Sequence, residues 1–244
     1  MAAVTRPPSA RPLRTTLDPL HAVVPLRTLA GGKARLGEAL DAEEREELVL
    51  GMLTQTLSLL SAWTPCVRVH VVTPDPTVLR LVATPTVSTI AQVSGGLNEG
   101  IAIGLAAARR EGARSVLVLP ADLPLLKRSS LDRMMDAADA ALAAGSGQPL
   151  VAIAPSDARD GTNGLLLFPT DVIAPAFGTR SFEAHVRAAA AADATLQVVT
   201  DSGLGFDLDT PEDLEVLPPG LLGDLLHLGQ AAMVATPRAD GTAA

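Results

Sequence analysis

The sequence predicts an α/β protein built on a mostly parallel sheet with helices on both faces. Three observations predict it. Short β-branched apolar runs recur along the chain, segments with helical apolar spacing separate them, and the polar stretches able to carry chemistry fall directly after the runs. Strands alternating with helices give a Rossmann-like, three-layer arrangement in which ligands sit beyond the carboxyl ends of the strands. A length of 244 residues suits a single domain. The expected organisation is a flexible extension over 1–18, one domain over 19–217, and a loose tail over 218–244 carrying at most one short helix.

The elements follow in order. Residues 21–26 (HAVVPL) read as a first buried strand, and a polar loop over 27–37 follows. Asp41 and Glu44 have the spacing of a capping box, and the apolar positions Leu48, Met52, Leu53, Thr56, Leu59 and Leu60 carry a helix to about Ala62. Residues 67–73 (VRVHVVT) form a second strand, closed by Pro74-Asp75-Pro76. A short helix near 78–82, a weak strand near 87–93 and a helix over 99–110 come next. Residues 115–120 (SVLVLP) are the clearest buried strand, followed by a helix over 130–144. Strands at 150–155 and 165–168 flank a polar loop over 156–164. A helix over 182–192 and a strand at 196–200 continue the alternation. Thr210 then caps a short helix that has Pro211 at its first position and Glu212 and Asp213 in its first turn. A last helix is expected over 221–228.

Composition excludes several classes. A hydrophobic share of 48% rules out a disordered chain, and no apolar run reaches the roughly 20 residues of a membrane span. The net charge of −8 and an aromatic content of 2% argue against nucleic-acid binding, which needs a basic face or stacking platforms. The single cysteine, Cys66, has no disulfide partner in the chain and reads as a small buried hydrophobe, compatible with a cytoplasmic protein. Arg6, Arg11 and Arg14 are followed by no apolar run of secretory type.

A small anionic ligand needs only a local cluster of cations, and Arg27, Lys33 and Arg35 supply one. Lys33 and Arg35 stand in LAGGKARL, whose small residues let backbone N–H groups approach phosphate oxygens. The glycines of Ser94-Gly95-Gly96-Leu97-Asn98 allow the same approach at the start of a helix. Asp122 follows the strand SVLVLP, and Asp207 and Asp209 in FDLDTPEDL are expected at another strand-to-helix junction. One carboxylate from each could clamp magnesium on a triphosphate, although each also reads as a turn or capping aspartate. Thr162 and Ser181 offer hydroxyls for a carboxylate, while His185 reads as a surface or packing residue.

With these loops laid out, the sequence resembles the CofC/FbiD family, the phospholactate or phosphoenolpyruvate guanylyltransferases of coenzyme F-420 biosynthesis. The likeness spans about 21–216 and rests on VVPLRTLAGGKARL, GGLNEG, LPADLPLL, RDGTNGLLL, FGTRSFEAH and FDLDTPEDL in the family's order. It implies a single-domain nucleotidyltransferase fold and attack of an acceptor phosphate on the α-phosphorus of GTP, with release of pyrophosphate. It also implies Asp122 and Asp209 as magnesium ligands, with Asp207 as the alternative to Asp209, and Lys33, Arg35 and Asp122 as catalytic groups. Arg27, Lys33, Arg35, Gly96 and Asn98 would hold the nucleotide, and Thr162, Gly178 and Ser181 the acceptor's carboxylate. Arg27 replaces the family's usual lysine, and DGTNG lacks its doubled Gly-Thr. The acceptor would be phosphoenolpyruvate first, with 2-phospho-L-lactate and 3-phospho-D-glycerate as alternatives. A homodimer and hand-over of product to the next enzyme are further expectations. The rival readings are a molybdenum-cofactor or sugar-phosphate nucleotidyltransferase of the same fold, and a noncatalytic nucleotide-binding module.

Overall fold

The computed structural model describes residues 16–145 and 148–235. Most of the expected extension, the tip of the 145–149 loop and the end of the tail lie outside them. Leu17, within the expected extension, is fully buried, and the Ser115 hydroxyl donates to its carbonyl at 2.6 Å.

Seven strands form one sheet: β1 Leu20–Pro25, β2 Cys66–Thr73, β3 Val87–Ala91, β4 Ser115–Val118, β5 Leu150–Pro155, β6 Thr162–Phe168 and β7 Thr195–Val198. Their order is β3-β2-β1-β4-β6-β5-β7. All neighbours pair in parallel except β6, which runs antiparallel to both β4 and β5. The reversal has a local cause. A loop of only six residues, 156–161, joins β5 to β6, too short for a parallel crossover. Thr162, Asn163 and Gly164 therefore belong to β6 and not to the polar loop the sequence suggested, and Ile153 faces Leu165 across the pair.

The helices are α1 Ala42–Ala62, α2 Pro76–Leu81, α3 Leu97–Arg110, α4 Arg128–Ala144, α5 Ser181–Ala191, α6 Ser202–Gly205, α7 Pro211–Val216 and α8 Leu221–Val234. In the capping box of α1, Asp41 accepts from the Glu44 N–H at 2.9 Å and Glu44 accepts from the Asp41 N–H at 2.8 Å. Ala22 and Val24 of β1 point into a core shared with α1 and α4, and Val23 points into one shared with α3 and α5. This alternation is what a sheet covered on both faces requires.

The C-terminal segment is more ordered than the sequence suggested. α8 runs to Val234, six residues beyond the expected end, and Leu225 closes a third core with Leu36, Leu48, Met52 and Leu208. Gly51 of α1 and Gly229 of α8 make this close crossing possible. A Cβ on Gly51 would collide with the Leu225 carbonyl, and one on Gly229 with the Glu47 carbonyl. Forcing a methyl group into a filled contact costs about 1–3 kcal/mol. Gly229→Ala should therefore lower the thermal unfolding midpoint by several degrees and expose α8 to limited proteolysis, whereas Gly223→Ala, with open space around it, should do neither.

Candidate active site

The carboxyl ends of β1 and β4 open onto a cavity of about 460 Å³ whose lining includes Arg27, Lys33, Arg35, Leu97, Asp122, Phe177 and Asp209. The loop after β1 makes the near wall. Two groups hold that loop: the Asp75 carboxylate accepts from the Leu29 N–H at 3.0 Å, and the Thr73 hydroxyl donates to the Arg27 carbonyl at 3.1 Å. Gly31 takes φ +75°, and Lys33 itself sits in the left-handed region at φ 52°, where a side chain is disfavoured, just before a 3-10 turn over Ala34–Glu38.

That backbone aims Lys33 at two acids. Its ammonium donates to Asp122 at 2.7 Å and to Asp209 at 2.6 Å. Burial alone would lower the Lys33 pKa, but the charges and hydrogen bonds of the two carboxylates outweigh it and hold the group above its ordinary value. The acids come from separate segments pinned to each other, because the Leu208 N–H donates to the Asp122 carbonyl at 3.1 Å and the Leu208 side chain is fully buried. The Asp209 and Thr210 N–H groups both donate to Asp213, at 2.8 and 2.7 Å. The segment carrying Asp207 and Asp209 follows the single-turn α6 and not a strand, a correction to the expected junction.

Asp207 has a different environment. It accepts from the Asn163 amide at 3.1 Å and borders a second, acidic cavity. Burial pushes its carboxyl above the usual range; the Asn163 hydrogen bond opposes this, and the charges of Asp122 and Asp209 add to it. Arg27 and Arg35 are exposed, and neither has a carboxylate partner among the described residues. Gly96 caps α3, its N–H donating to Glu99 at 2.9 Å, and lines a smaller adjoining cavity together with Arg27 and Gln92.

The remaining expected site residues build the wall behind Phe177. The Asn98 amide donates to the Phe177 carbonyl at 3.0 Å and accepts from its N–H at 2.7 Å. His185 Nε2 accepts from the Ala176 N–H at 3.0 Å, so in the neutral ring Nδ1 carries the proton and donates to the Thr162 hydroxyl, also at 3.0 Å. Thr162 and Ser181 are buried, and Gly178 takes φ +119° where its carbonyl receives the Ser181 N–H. None of these three lines the cavity between Lys33 and Phe177. Sequence reasoning missed Asp75, Asn163 and the reach of His185. Only Asp75 left a signal, as the cap before Pro76.

A sheet of this order, with acids and cations gathered beyond its carboxyl ends, has the fold of the nucleotidyltransferases. Among solved structures of that fold, a protein described as a nucleotide-diphospho-sugar transferase from Desulfovibrio desulfuricans superposes with a TM-score of 0.67 at 17% identity, covering 88% of this chain and 96% of that one. A 4-diphosphocytidyl-2C-methyl-D-erythritol synthase gives 0.54 at 15% identity, covering 85% and 97%. The chain belongs to the guanylyl transferase CofC-like family, whose model matches residues 20–220. The phosphoenolpyruvate guanylyltransferases of Sphaerobacter thermophilus and Rubrobacter xylanophilus are each 39% identical to it over 80% of this chain and 91% of the relative. A 3-phospho-D-glycerate guanylyltransferase from Phenylobacterium zucineum is 34% identical over 83% and 91%.

Burial lowers both His70 and His185 from 6.5 to about 4. The folded protein therefore binds fewer protons at these sites than the unfolded chain. Their contribution to stability is complete above about pH 6.5 and is lost as the pH falls towards 4. The thermal midpoint should decline across that window, and His185→Gln, which removes one titrating group, should make the decline shallower; an unchanged slope would contradict the assignment.

Proposed function

We propose that this protein transfers GMP from GTP to a small phosphorylated carboxylic acid, with phosphoenolpyruvate as the acceptor. The observation that carries the reading is the convergence of Asp122 and Asp209 on the single Lys33 ammonium, at 2.7 and 2.6 Å, inside a cavity of about 460 Å³ bordered by Arg27 and Arg35, which have no carboxylate partner among the described residues. The acceptor's identity rests on the relatives, among which phosphoenolpyruvate guanylyltransferases reach 39% identity and 3-phospho-D-glycerate guanylyltransferases 34%.

Two carboxylate oxygens that already share one cation fit a hard metal ion, which takes one or two carboxylates plus substrate phosphates. Asp122 and Asp209 would hold magnesium, whose chemistry here is Lewis-acid stabilisation of the phosphate oxygens. Asp209 is preferred over Asp207 because only Asp209 shares Lys33 with Asp122. Lys33 stands between the carboxylates where the ion would be held, and its ammonium would then be free to meet the triphosphate. Arg27 and Arg35 neutralise the remaining phosphate charge. The backbone N–H groups around Gly31 and Gly96 come close to the nucleotide because no side chain intervenes.

The acceptor's phosphate oxygen attacks the α-phosphorus as the bond from that phosphorus to the β-bridging oxygen breaks. Pyrophosphate leaves with the bonding pair, and the acid is joined to guanosine through a diphosphate. The nucleophile is already an anion, so no base is required, and His185, held neutral by burial, is not asked to act as one. The Phe177 wall, fixed by Asn98 and by the Thr162–His185 pair, shapes the acceptor side.

Pyrophosphate release with GTP, magnesium and each of phosphoenolpyruvate, 2-phospho-L-lactate and 3-phospho-D-glycerate tests this directly. Phosphoenolpyruvate should give the highest kcat/KM. Asp122→Asn and Asp209→Asn should each lose at least about a hundredfold, on the order of 2.7 kcal/mol, and Asp207→Asn distinctly less. Turnover with none of the three acids, or an Asp122→Asn protein as active as wild type, would overturn the reading.

A further inference from the structure

On the α3 side of the sheet, His21 of β1 and His70 of β2 are both buried beside Glu111, the residue that caps the carboxyl end of α3. The catalytic groups lie past the carboxyl ends of the strands, whereas His21 is the second residue of β1. The transfer reaction uses none of the three. We propose that His21, His70 and Glu111 form a binding site for a late first-row transition-metal cation such as zinc or cobalt.

The geometry is nearly assembled. His21 Nδ1 and His70 Nε2 face each other at 3.0 Å, and a Glu111 carboxylate oxygen lies within 4.8 Å of both. His70 is already set as a ligand. Its Nδ1 meets the Ser88 hydroxyl at 2.8 Å, and that hydroxyl donates to the Val69 carbonyl at 3.3 Å, so His70 Nδ1–H is the donor and Nε2 presents a lone pair. A histidine whose second nitrogen donates to a fixed acceptor is the usual support of a metal ligand. The pair shares one proton between the facing nitrogens, and a cation replaces that proton when His21 carries its hydrogen on Nε2.

Tetrahedral bonds of about 2.0–2.1 Å place two nitrogens about 3.4 Å apart, so the pair opens by a few tenths of an ångström from 3.0 Å and each ring tilts to turn its lone pair from its neighbour towards the cation. Glu111 has further to travel and the freedom to do so, being exposed. One of its oxygens pairs with Arg68 at 3.1 Å, so a cation competes with that guanidinium for the carboxylate. Two imidazoles and one carboxylate suit zinc or cobalt better than magnesium, which prefers oxygen alone. The Arg68 guanidinium opposes a bound cation, so the affinity should fall below that of a closed four-ligand site.

Cobalt(II) titration of an Asp122→Asn, Asp209→Asn double variant removes the two carboxylates that share Lys33, and the intensity of the visible band separates histidine ligation from the oxygen ligands left around Asp207. A visible band of four-coordinate intensity should saturate at one equivalent and be displaced by zinc. Adding Glu111→Gln should weaken the apparent affinity at least tenfold, and His70→Gln should abolish the band, with circular dichroism in chelator checking that each variant is folded. Absence of the band, or a band whose affinity Glu111→Gln leaves unchanged, would overturn the proposal whether or not the His70 variant folds.

Discussion

The ammonium of Lys33 is the constraint on which the rest of the site depends. It sits between two carboxylates that come from positions 89 and 176 residues further along the chain. Like charges this close repel, and a shared cation is what makes their convergence stable. Much of the surrounding structure serves to keep the three groups there. The left-handed turn at Lys33, the Asp75 anchor on Leu29, the backbone bond from Leu208 to Asp122 and the Asp213 cap on Asp209 each remove one freedom of movement. A site held in this way loses little further entropy when it takes a ligand.

The opposite wall follows another principle. Phe177 reaches the cavity, and its position is set by groups that do not: Asn98 clasps its backbone, and the His185 ring meets it edge-on with centroids 5.0 Å apart. Thr162, buried beneath, holds the histidine. Solved structures with TM-scores of 0.54 to 0.67 share the sheet at 15 to 17% identity. Relatives of this chain that share the guanylyl step differ in acceptor. Fold alone therefore does not choose the acid. If the wall meets the acceptor as proposed, that choice could change there without disturbing Lys33, Asp122 or Asp209.

The strand-helix alternation was legible because the runs of residues 21–26, 115–120 and 150–155 are apolar but for the leading His21 and Ser115, as strands covered on both faces tend to be. Lys33 and Asp122 stood out because their flanking phrases are distinctive and follow strands, and Asp209 because FDLDTPEDL carries the start signals of a helix. What escaped was non-local. Thr162 lies in a polar stretch, and only its pairing with Pro155 across the β5–β6 turn makes it a strand residue. Nothing near His185 in sequence announces that it joins Thr162 to Ala176. The close packing of α8 depends on two glycines, Gly51 and Gly229, whose meeting no local pattern encodes. The antiparallel β6 likewise followed from the length of one loop and not from its composition.

The central claim is that Lys33 holds the place of a metal ion between Asp122 and Asp209. Manganese binding, followed by the electron paramagnetic resonance of the free ion in the absence of nucleotide, tests it most directly by comparing wild type with Lys33→Met. Removing a cation from between two carboxylates should tighten manganese binding by about tenfold or more, since each 1.4 kcal/mol of relieved repulsion is worth that factor, and Asp122→Asn should cancel the gain. Equal or weaker binding by Lys33→Met would show that the ammonium and the metal do not compete for one position.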